Sequence, residues 1–362
     1  MYDAAIKLLE KIDSFGYEAY MIGGYPRDLY LKRTITDVDI CTDATPMELH
    51  QIFSEIVKTS SEYGTTTVIF ENVKFEITTF RKEFKYTDMR RPEKIEYVYT
   101  LKEDIKRRDF VINTLAIDKN GNQIDLLGAK NDLDNKIIRT VGDPKIRLKE
   151  DALRILRAIR FATTLNFELD NRLRIYIKKY GKLLRKLSKD RKKEELDMIF
   201  TSSNKAYGIK LLIDLNLINY LDMPKLKQIK ITPTAIVTWS QLDVLDKYNF
   251  NTIERETIDK INEVKNKDIL DKKTLYYYGL YICTLVAELK DINKKDLNQV
   301  YANLPIKSRL DIDIDPIEIC QVLNKEAGPF LKLVISDLEH KILNDELKNE
   351  KEEIIKYLEK FK

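Results

Sequence analysis

The 362-residue chain carries 63 Lys and Arg against 59 Asp and Glu, a net charge of +4. That excludes a histone-like polycation but leaves room for a local basic surface. With 43% hydrophobic residues and 20 Tyr it is globular rather than disordered, and its length predicts roughly two to three domains.

Cys41, Cys283 and Cys320 lie far apart with no C-x-x-C spacing, so neither a disulfide framework nor a zinc site is expected and a reducing compartment fits. The only histidines, His50 and His340, sit in no recognisable catalytic setting. The first twenty residues lack a continuous apolar core, and no apolar run reaches bilayer length. A cytoplasmic chain with no signal peptide and no membrane partner is expected.

In chain order, Ile6, Leu8, Leu9 and Ile12 share one face and predict a helix over residues 1–15. EAYMIGG reads as a strand ending on Gly23 and Gly24, and YPRDLYL as a helix with Pro26 in its first turn. TDVDICTD is a second strand, and Pro46 opens the helix PMELHQIFSEIV. GTTTVIF and VKFEITTF flank Glu71-Asn72 and predict a hairpin. RKEFKYTDMRRPEK reads as an exposed polar loop, followed by a helix over LKEDIKRRDFVINTLAI and a turn at Asn120-Gly121 between two short strands. Beyond Asp143-Pro144 the pattern is almost entirely helical, with breaks at Pro224, Pro233, Pro305 and Gly328-Pro329.

Asp37 and Asp39 stand one residue apart in a β-like run, so both carboxylates should face one side and Val38 the core. Adjacent carboxylates repel unless a cation lies between them. Mg²⁺ suits them, because it takes hard oxygen ligands and keeps positions open for phosphate oxygens. Two such ions can activate an attacking hydroxyl and stabilise leaving pyrophosphate. Glu76 is a candidate third carboxylate. Read alone, D-x-D is more often a strand edge with two solvated acids. The preceding segment shifts that balance: Gly23 and Gly24 abut a helix carrying Arg27 and Asp28, a backbone suited to phosphate with a fixed cation beside it.

GGYPRD, DVDICTDATP, RRDFVINTLA and EDALRILRAIRFA, in that order between residues 23 and 162, resemble the class II tRNA nucleotidyltransferases (CCA-adding enzymes) and their relatives the bacterial poly(A) polymerases. The likeness continues through TTFRKEFKYTDMRRPEKIEYV and more loosely through LSKDRKKEELDMIF and NKEAGPF. It implies an α+β fold: a nucleotidyltransferase-type mixed-sheet head at 1–140, then an elongated all-helical neck (141–200), body (201–270) and tRNA-binding tail (271–362). It implies that Asp37 and Asp39 are catalytic and hold Mg²⁺. Gly23, Gly24 and Arg27 would meet the nucleotide phosphates, Arg108 the triphosphate, and Asp109 with Asn113 the ribose hydroxyl. The substrates implied are CTP, ATP and tRNA, gripped at acceptor stem and elbow; a homodimer is compatible with the family.

In EDALRILRAIRFA, Asp151, Arg154, Arg157 and Arg160 recur every three residues as one stripe, beside an apolar stripe of Leu153, Leu156 and Ile159. Without the upstream motifs this is a solvated amphipathic face. With them, the resemblance makes Asp151 and Arg154 a protein template. Cytosine and adenine share an amino donor beside a ring-nitrogen acceptor, which an Asp acceptor next to an Arg donor matches. Guanine and uracil present the reverse, at a cost of about 1–3 kcal/mol per unpaired group. Arg157 and Arg160 would support base and phosphates.

Choosing C twice and then A requires something that changes as the primer grows. The candidate is the polar loop at 81–108, with ten basic and six acidic residues; a mobile surface insertion is the equal alternative. Segment 181–195, with seven basic and three acidic residues, suits acceptor-stem phosphates or a solvated helix face. Its Asp190 precedes Arg191 where the family usually has Glu. Trp239 and Cys41 read as packing residues. The expected reaction is attack of the tRNA 3′-hydroxyl on the α-phosphate of CTP or ATP without a nucleic-acid template, releasing pyrophosphate. The rivals are a poly(A) polymerase, a CC-adding-only or A-adding-only relative, and a non-catalytic RNA-binding module.

Overall fold

A computed structural model describes residues 1–35, 37–60, 63–87 and 91–361. Helix α1 (Tyr2–Ser14) buries Ala4, Ala5, Leu8, Leu9 and Ile12, the face its spacing predicts. Then come β1 (Ala19–Ile22), α2 (Gly24–Tyr30), β2 (Asp39–Thr42) and α3 (Pro46–Ile52). Thr45 and Glu48 close a capping box on α3, with Pro46 in its first turn. Strands β3 (Ile56–Ser60), β4 (Thr65–Phe70) and β5 (Val73–Thr79) follow. Glu71 and Asn72 both have positive φ, 51° and 60°, so β4 and β5 close on the tight turn the sequence predicts.

The next two expectations are corrected. The stretch taken for a loop is an antiparallel ribbon of β6 (Arg81–Thr87) and β7 (Arg91–Tyr97), paired from Arg81↔Tyr97 to Thr87↔Arg91; Asp88, Met89 and Arg90 of that loop lie outside the described residues. A ribbon whose faces are both largely polar shows no apolar alternation to read. Phe84 stays 41% exposed, and ion pairs such as Arg81–Glu83 and Lys82–Glu103 stand in for a core face. Nor is 101–117 one helix. It is α4 (Leu101–Asp104), 3₁₀ turns at Ile105–Arg107 and Val111–Asn113, and β8 (Ala116–Ile117). Asp109 accepts the Phe110 N–H on its own side chain, and Val111 N–H goes to the Arg139 carbonyl, so the helical ladder stops there.

β9 (Gln123–Ile124) pairs with β8 across the Asn120-Gly121 turn. The main sheet runs β3-β4-β5-β2-β1-β8-β9 and is antiparallel except at β2–β5. α5 (Ala129–Asp134), β10 (Ile137–Ile138), α6 (Pro144–Glu150), α7 (Leu153–Leu165), β11 (Glu168–Leu169), α8 (Asn171–Tyr180), α9 (Lys189–Thr201) and α10 (Lys205–Asp214) complete the first of two units, Met1–Lys227.

Gly208 lets α10 approach α7 and α9. A Cβ there would lie 2.3 Å from Thr163 Oγ1 and 2.8 Å from Ile199 Cγ2. Gly208→Ala is expected to cost about 1–3 kcal/mol by overpacking, a fall of roughly 2–10 °C in melting temperature read by calorimetry. An unchanged Tm would show that the helices slide apart freely.

The second unit, Gln228–Lys362, is helical: α11 (Ala235–Ser240), α12 (Thr252–Val264), α13 (Lys272–Lys290), α14 (Lys294–Ala302), α15 (Pro316–Leu323), α16 (Phe330–Leu343) and α17 (Lys351–Leu358). α13 breaks at Gly279, whose φ of 75° suits glycine. One apolar cluster gathers around Ile261, Leu275 and Val286, another around Ile319, Leu338 and Ile354. Trp239 is buried against Tyr248 and Phe250, a core residue as expected. The fold is the mixed α/β head followed by helices that the sequence predicts. Among the described residues no helix is long and apolar enough to cross a membrane.

Candidate active site

The site begins where β1 leaves the sheet. Ile22 faces Asp39 in the β1–β2 register, so Gly23 emerges beside the Asp39 side chain. Gly23 has φ 84°, and a Cβ there would stand 3.1 Å from Asp39 Oδ2. Both the backbone conformation and the space demand glycine. Val38 is buried, as alternation predicts. β2 starts only at Asp39, however, so Asp37 precedes the strand instead of sharing it. The two acids still meet. Asp37, Asp39 and Glu76 border one cavity of about 450 Å³, and Glu76 is the register partner of Asp39 on β5. Withdrawal from water raises the Asp39 pKa; Arg108 opposes this, and the charges of Glu76 and Asp37 add to it.

Among the described residues no group of three or more His, Cys, Asp or Glu forms a metal cage. Mg²⁺ needs none, since one or two carboxylates plus water and substrate phosphates are its usual shell. Mutually repelling oxygen donors beside a glycine that leaves Asp39 uncovered fit that ion.

Asp39 also borders a larger cavity of about 830 Å³, which Asp37 does not line. Gly23, Gly24, Arg27, Arg108, Asp109, Asn113, Asp151, Arg154, Arg157 and Arg160 all line it. The structure therefore brings every sequence-predicted site residue except Asp37 and the candidate Glu76 to one cavity, although they come from β2, the start of α2, the 108–113 turn, the α6–α7 break and α7. The arginine stripe is not a solvated face. Arg154 is 5% exposed and donates through Nη1 to Glu150 (3.0 Å) and the Arg147 carbonyl (2.8 Å). Arg157 donates through Nε and Nη2 to Asp109 Oδ2 at 2.9 and 2.5 Å, and Arg160 Nε reaches Glu195 at 2.6 Å. Arg27 binds Asp28 with Nη2 (2.6 Å) and Asn113 Oδ1 with Nη1 (2.8 Å). The Phe161 ring lies under Arg27, Arg157 and Arg160, a cation–π floor.

Two details correct the sequence reading. Asp151 is not on the helical stripe: it sits in the break between α6 and α7, at φ −137° and ψ 106°, and accepts the Leu153 N–H at 2.9 Å. The acid thus ends one helix and accepts the first N–H of the next. Leu153 lines the cavity and is only half-buried, whereas Leu156 and Ile159 are in the core as expected.

Asp109 is saturated. Oδ1 accepts Phe110 N–H (2.7 Å) and Asn113 Nδ2 (3.1 Å), and Oδ2 takes both Arg157 donors. Burial would raise its pKa, but Arg157, Asn113 and the Phe110 amide hold it well below the carboxylate range. Arg108 is gripped through Nε and Nη2 (3.2 and 3.0 Å) by Asp104, a fully buried carboxylate that also takes Arg107 Nε at 2.7 Å. Burial pushes Asp104 up, and the charges of Arg107 and Arg108 outweigh it.

Sequence reasoning missed Asp104, Glu150 and Glu195. The first two carried a signal: Asp104 precedes Arg107 and Arg108 by three and four residues, and Glu150 precedes Arg154 by four. Glu195 pairs with α7 across 35 residues, which no local spacing shows.

Residues 19–139 match the family model of the poly A polymerase head domain, 166–229 that of the RNA and SrmB-binding site of polymerase A, and 243–358 that of tRNA nucleotidyltransferase domain 2. The CCA-adding enzyme of Staphylococcus haemolyticus is 35% identical over 392 aligned residues, covering 99% of this chain and 98% of the relative. The chain belongs to the CCA-adding enzyme family of tRNA nucleotidyltransferases. As a member of the family it is an enzyme. The CCA-adding enzyme of Lactococcus lactis is likewise 35% identical, over 98% of this chain and 96% of its own. The crystal structure of the Bacillus stearothermophilus CCA-adding enzyme in complex with CTP superposes with a TM-score of 0.86 at 29% identity, covering 99% of this chain and 97% of that one. The Thermotoga maritima CCA-adding enzyme complexed with tRNA, at 20% identity and TM-score 0.69, shares the fold.

Proposed function

We propose that this CCA-adding family member builds the complete C-C-A end of tRNA from CTP and ATP without a nucleic-acid template. The tRNA 3′-hydroxyl attacks the α-phosphate and pyrophosphate leaves. The reading is supported most by one observation: Asp39 and the pair Asp151 and Arg154 border the same cavity of about 830 Å³. That span accommodates a nucleotide with its phosphates at one end and its base at the other.

In this reading Asp37 and Asp39 hold Mg²⁺, with Glu76 beside them. Bound there, Mg²⁺ would offset charge on the reacting phosphate and lower the pKa of the attacking hydroxyl. Gly23, Gly24 and Arg27 cradle phosphates, and Arg108, held by Asp104, adds a fixed cation. The ribose hydroxyl is read at Asp109 and Asn113 by exchange with one of the donors already on that carboxylate. Asp151 and Arg154 accept and donate to the shared edge of cytosine and adenine. Arg157 and Arg160 brace the wall above Phe161. The ribbon β6–β7 enters the network through Arg81 and Glu83, which line the cavity beside Arg107, and is the element able to shift the template between C and A. Head (1–140), neck (141–200), body (201–270) and tail (271–362) divide the work, the helical remainder gripping tRNA, in the cytoplasm.

Purified protein incubated with tRNA lacking its 3′ end and each nucleotide, followed by sequencing of the product, tests this. C-C-A is expected. Long tails from ATP alone, or product ending at CC or gaining A only, would replace the reading by the corresponding relative. Arg154→Ala is expected to reduce discrimination of CTP and ATP against UTP and GTP by roughly 10–100-fold, the worth of one or two unpaired groups. The ratio of kcat/KM values reads this independently of the amount of folded protein. Unchanged discrimination would remove Arg154 from base selection.

A further inference from the structure

Eight arginines line the larger cavity, and seven of them pair with a carboxylate. The eighth, Arg191, has no ion-pair partner among the described residues, and its Nε is buried without a hydrogen-bond partner. With Nε enclosed, the guanidinium is presented to the cavity by its remaining donors. Arg191 lies in the first turn of α9, where the helix dipole adds positive potential. Arg191 is half-buried, and a partly enclosed cation with no carboxylate beside it is suited to an anion.

We propose that Arg191 binds a backbone phosphate of the tRNA 3′-terminal strand, close to the reacting end. This rests on the tRNA nucleotidyltransferase reading and narrows the basic segment 181–195 to one residue inside the cavity. Two observations favour a phosphodiester over the incoming triphosphate. First, Arg191 is remote from the phosphate cradle in the network: Arg27 to Asn113, Asn113 to Asp109, Asp109 to Arg157 and Arg157 to Glu195 are four successive links, and Arg191 lies a helical turn before Glu195. Second, Glu194 and Glu195 share its wall of the cavity. Glu195 is taken by Arg160, and the carboxylate of Glu194 repels a triphosphate more than the single charge of a phosphodiester. The segment leading to it, 181–195, carries seven basic residues against three acidic ones, a track by which a polyanion could reach the cavity.

The test uses full-length Arg191→Gln and Arg191→Lys with tRNA lacking its terminal A. Loss of one charged hydrogen bond should raise the tRNA Kd about tenfold in the glutamine variant, and the slope of log Kd against log salt should fall by about 0.7–0.9. Lysine should restore most of both, because a phosphate accepts a point charge where a stacked base does not. KM for ATP and the preference for CTP over UTP should stay within about twofold, as neither uses this contact. Should the glutamine variant lose its fold by circular dichroism, Arg191→Met, which keeps the apolar stem, is read the same way. Unchanged tRNA affinity or salt slope, a rise confined to nucleotide KM, or failure of lysine to restore binding would each overturn the inference. The binding measurement needs no turnover. A chain that bound tRNA with the predicted slope change yet added no nucleotide would contradict the proposed function and leave this contact standing.

Discussion

Asp39→Ala should abolish addition of both C and A, by a factor on the order of 10³ or more, the worth of several kcal/mol of charge stabilisation at the transition state. tRNA affinity should stay within about twofold, because Asp39 contributes negative charge and no contact to a polyanion. The folded protein should be no less stable, since Asp39 is repelled by Asp37 and Glu76 and its removal relieves that repulsion. The diagnostic is the combination: single-turnover rates with radiolabelled CTP and ATP, a tRNA binding curve and a melting curve. Normal turnover in this variant would remove the metal assignment. A collapsed Tm would mean that the residue is structural instead.

Asp109→Ala should have the largest effect on the stability of the first unit. It leaves the Arg157 guanidinium, the Asn113 amide and the Phe110 N–H without their acceptor. Breaking a buried pair in this way costs about 3–5 kcal/mol. Arg157 is shared with Glu195, and Asn113 with Arg27, so the damage reaches the phosphate cradle and the α7–α9 contact together. Urea melts should show the loss, with activity falling further than stability alone explains.

The pH dependence has a definite sign. Asp109 has a folded-state pKa below its unfolded value, so its contribution is complete above the unfolded pKa of about 4. It is lost as pH falls below that value towards the folded pKa. The wild type should therefore destabilise below about pH 4, and Asp109→Asn should show a shallower acid limb. Equal acid limbs in the two proteins would contradict the pairing.

Much of the site is legible in the sequence. Gly23-Gly24, Asp39, Arg108, Asp109 and Arg154 each stand in a short motif whose residue types suit phosphate, metal or base chemistry, and all of them reach one cavity. The illegible parts share a cause. The ribbon β6–β7 shows no apolar alternation, and none of its described side chains at 81–84 and 94–97 is fully buried. The break at Asp151 is hidden because 144–150 and 153–165 both carry helical patterns, and a two-residue interruption leaves the period nearly intact. Local periodicity reports how a segment faces a core, and these segments face a cavity.

Composition, the order of the motifs and the helical periodicity beyond Asp143 determined by themselves the head-then-helices architecture, the family and the residue types of the catalytic wall. Only the tertiary structure decided which charges are spoken for. It ties Arg160 to Glu195 and Arg157 to Asp109 across 35 and 48 residues, and leaves Arg191 without an ion-pair partner among the described residues. The physical reason is that an ion pair depends on distance in space, which a chain encodes locally only at helical spacings of three and four. Longer-range partners are chosen by how the sheet and helices pack.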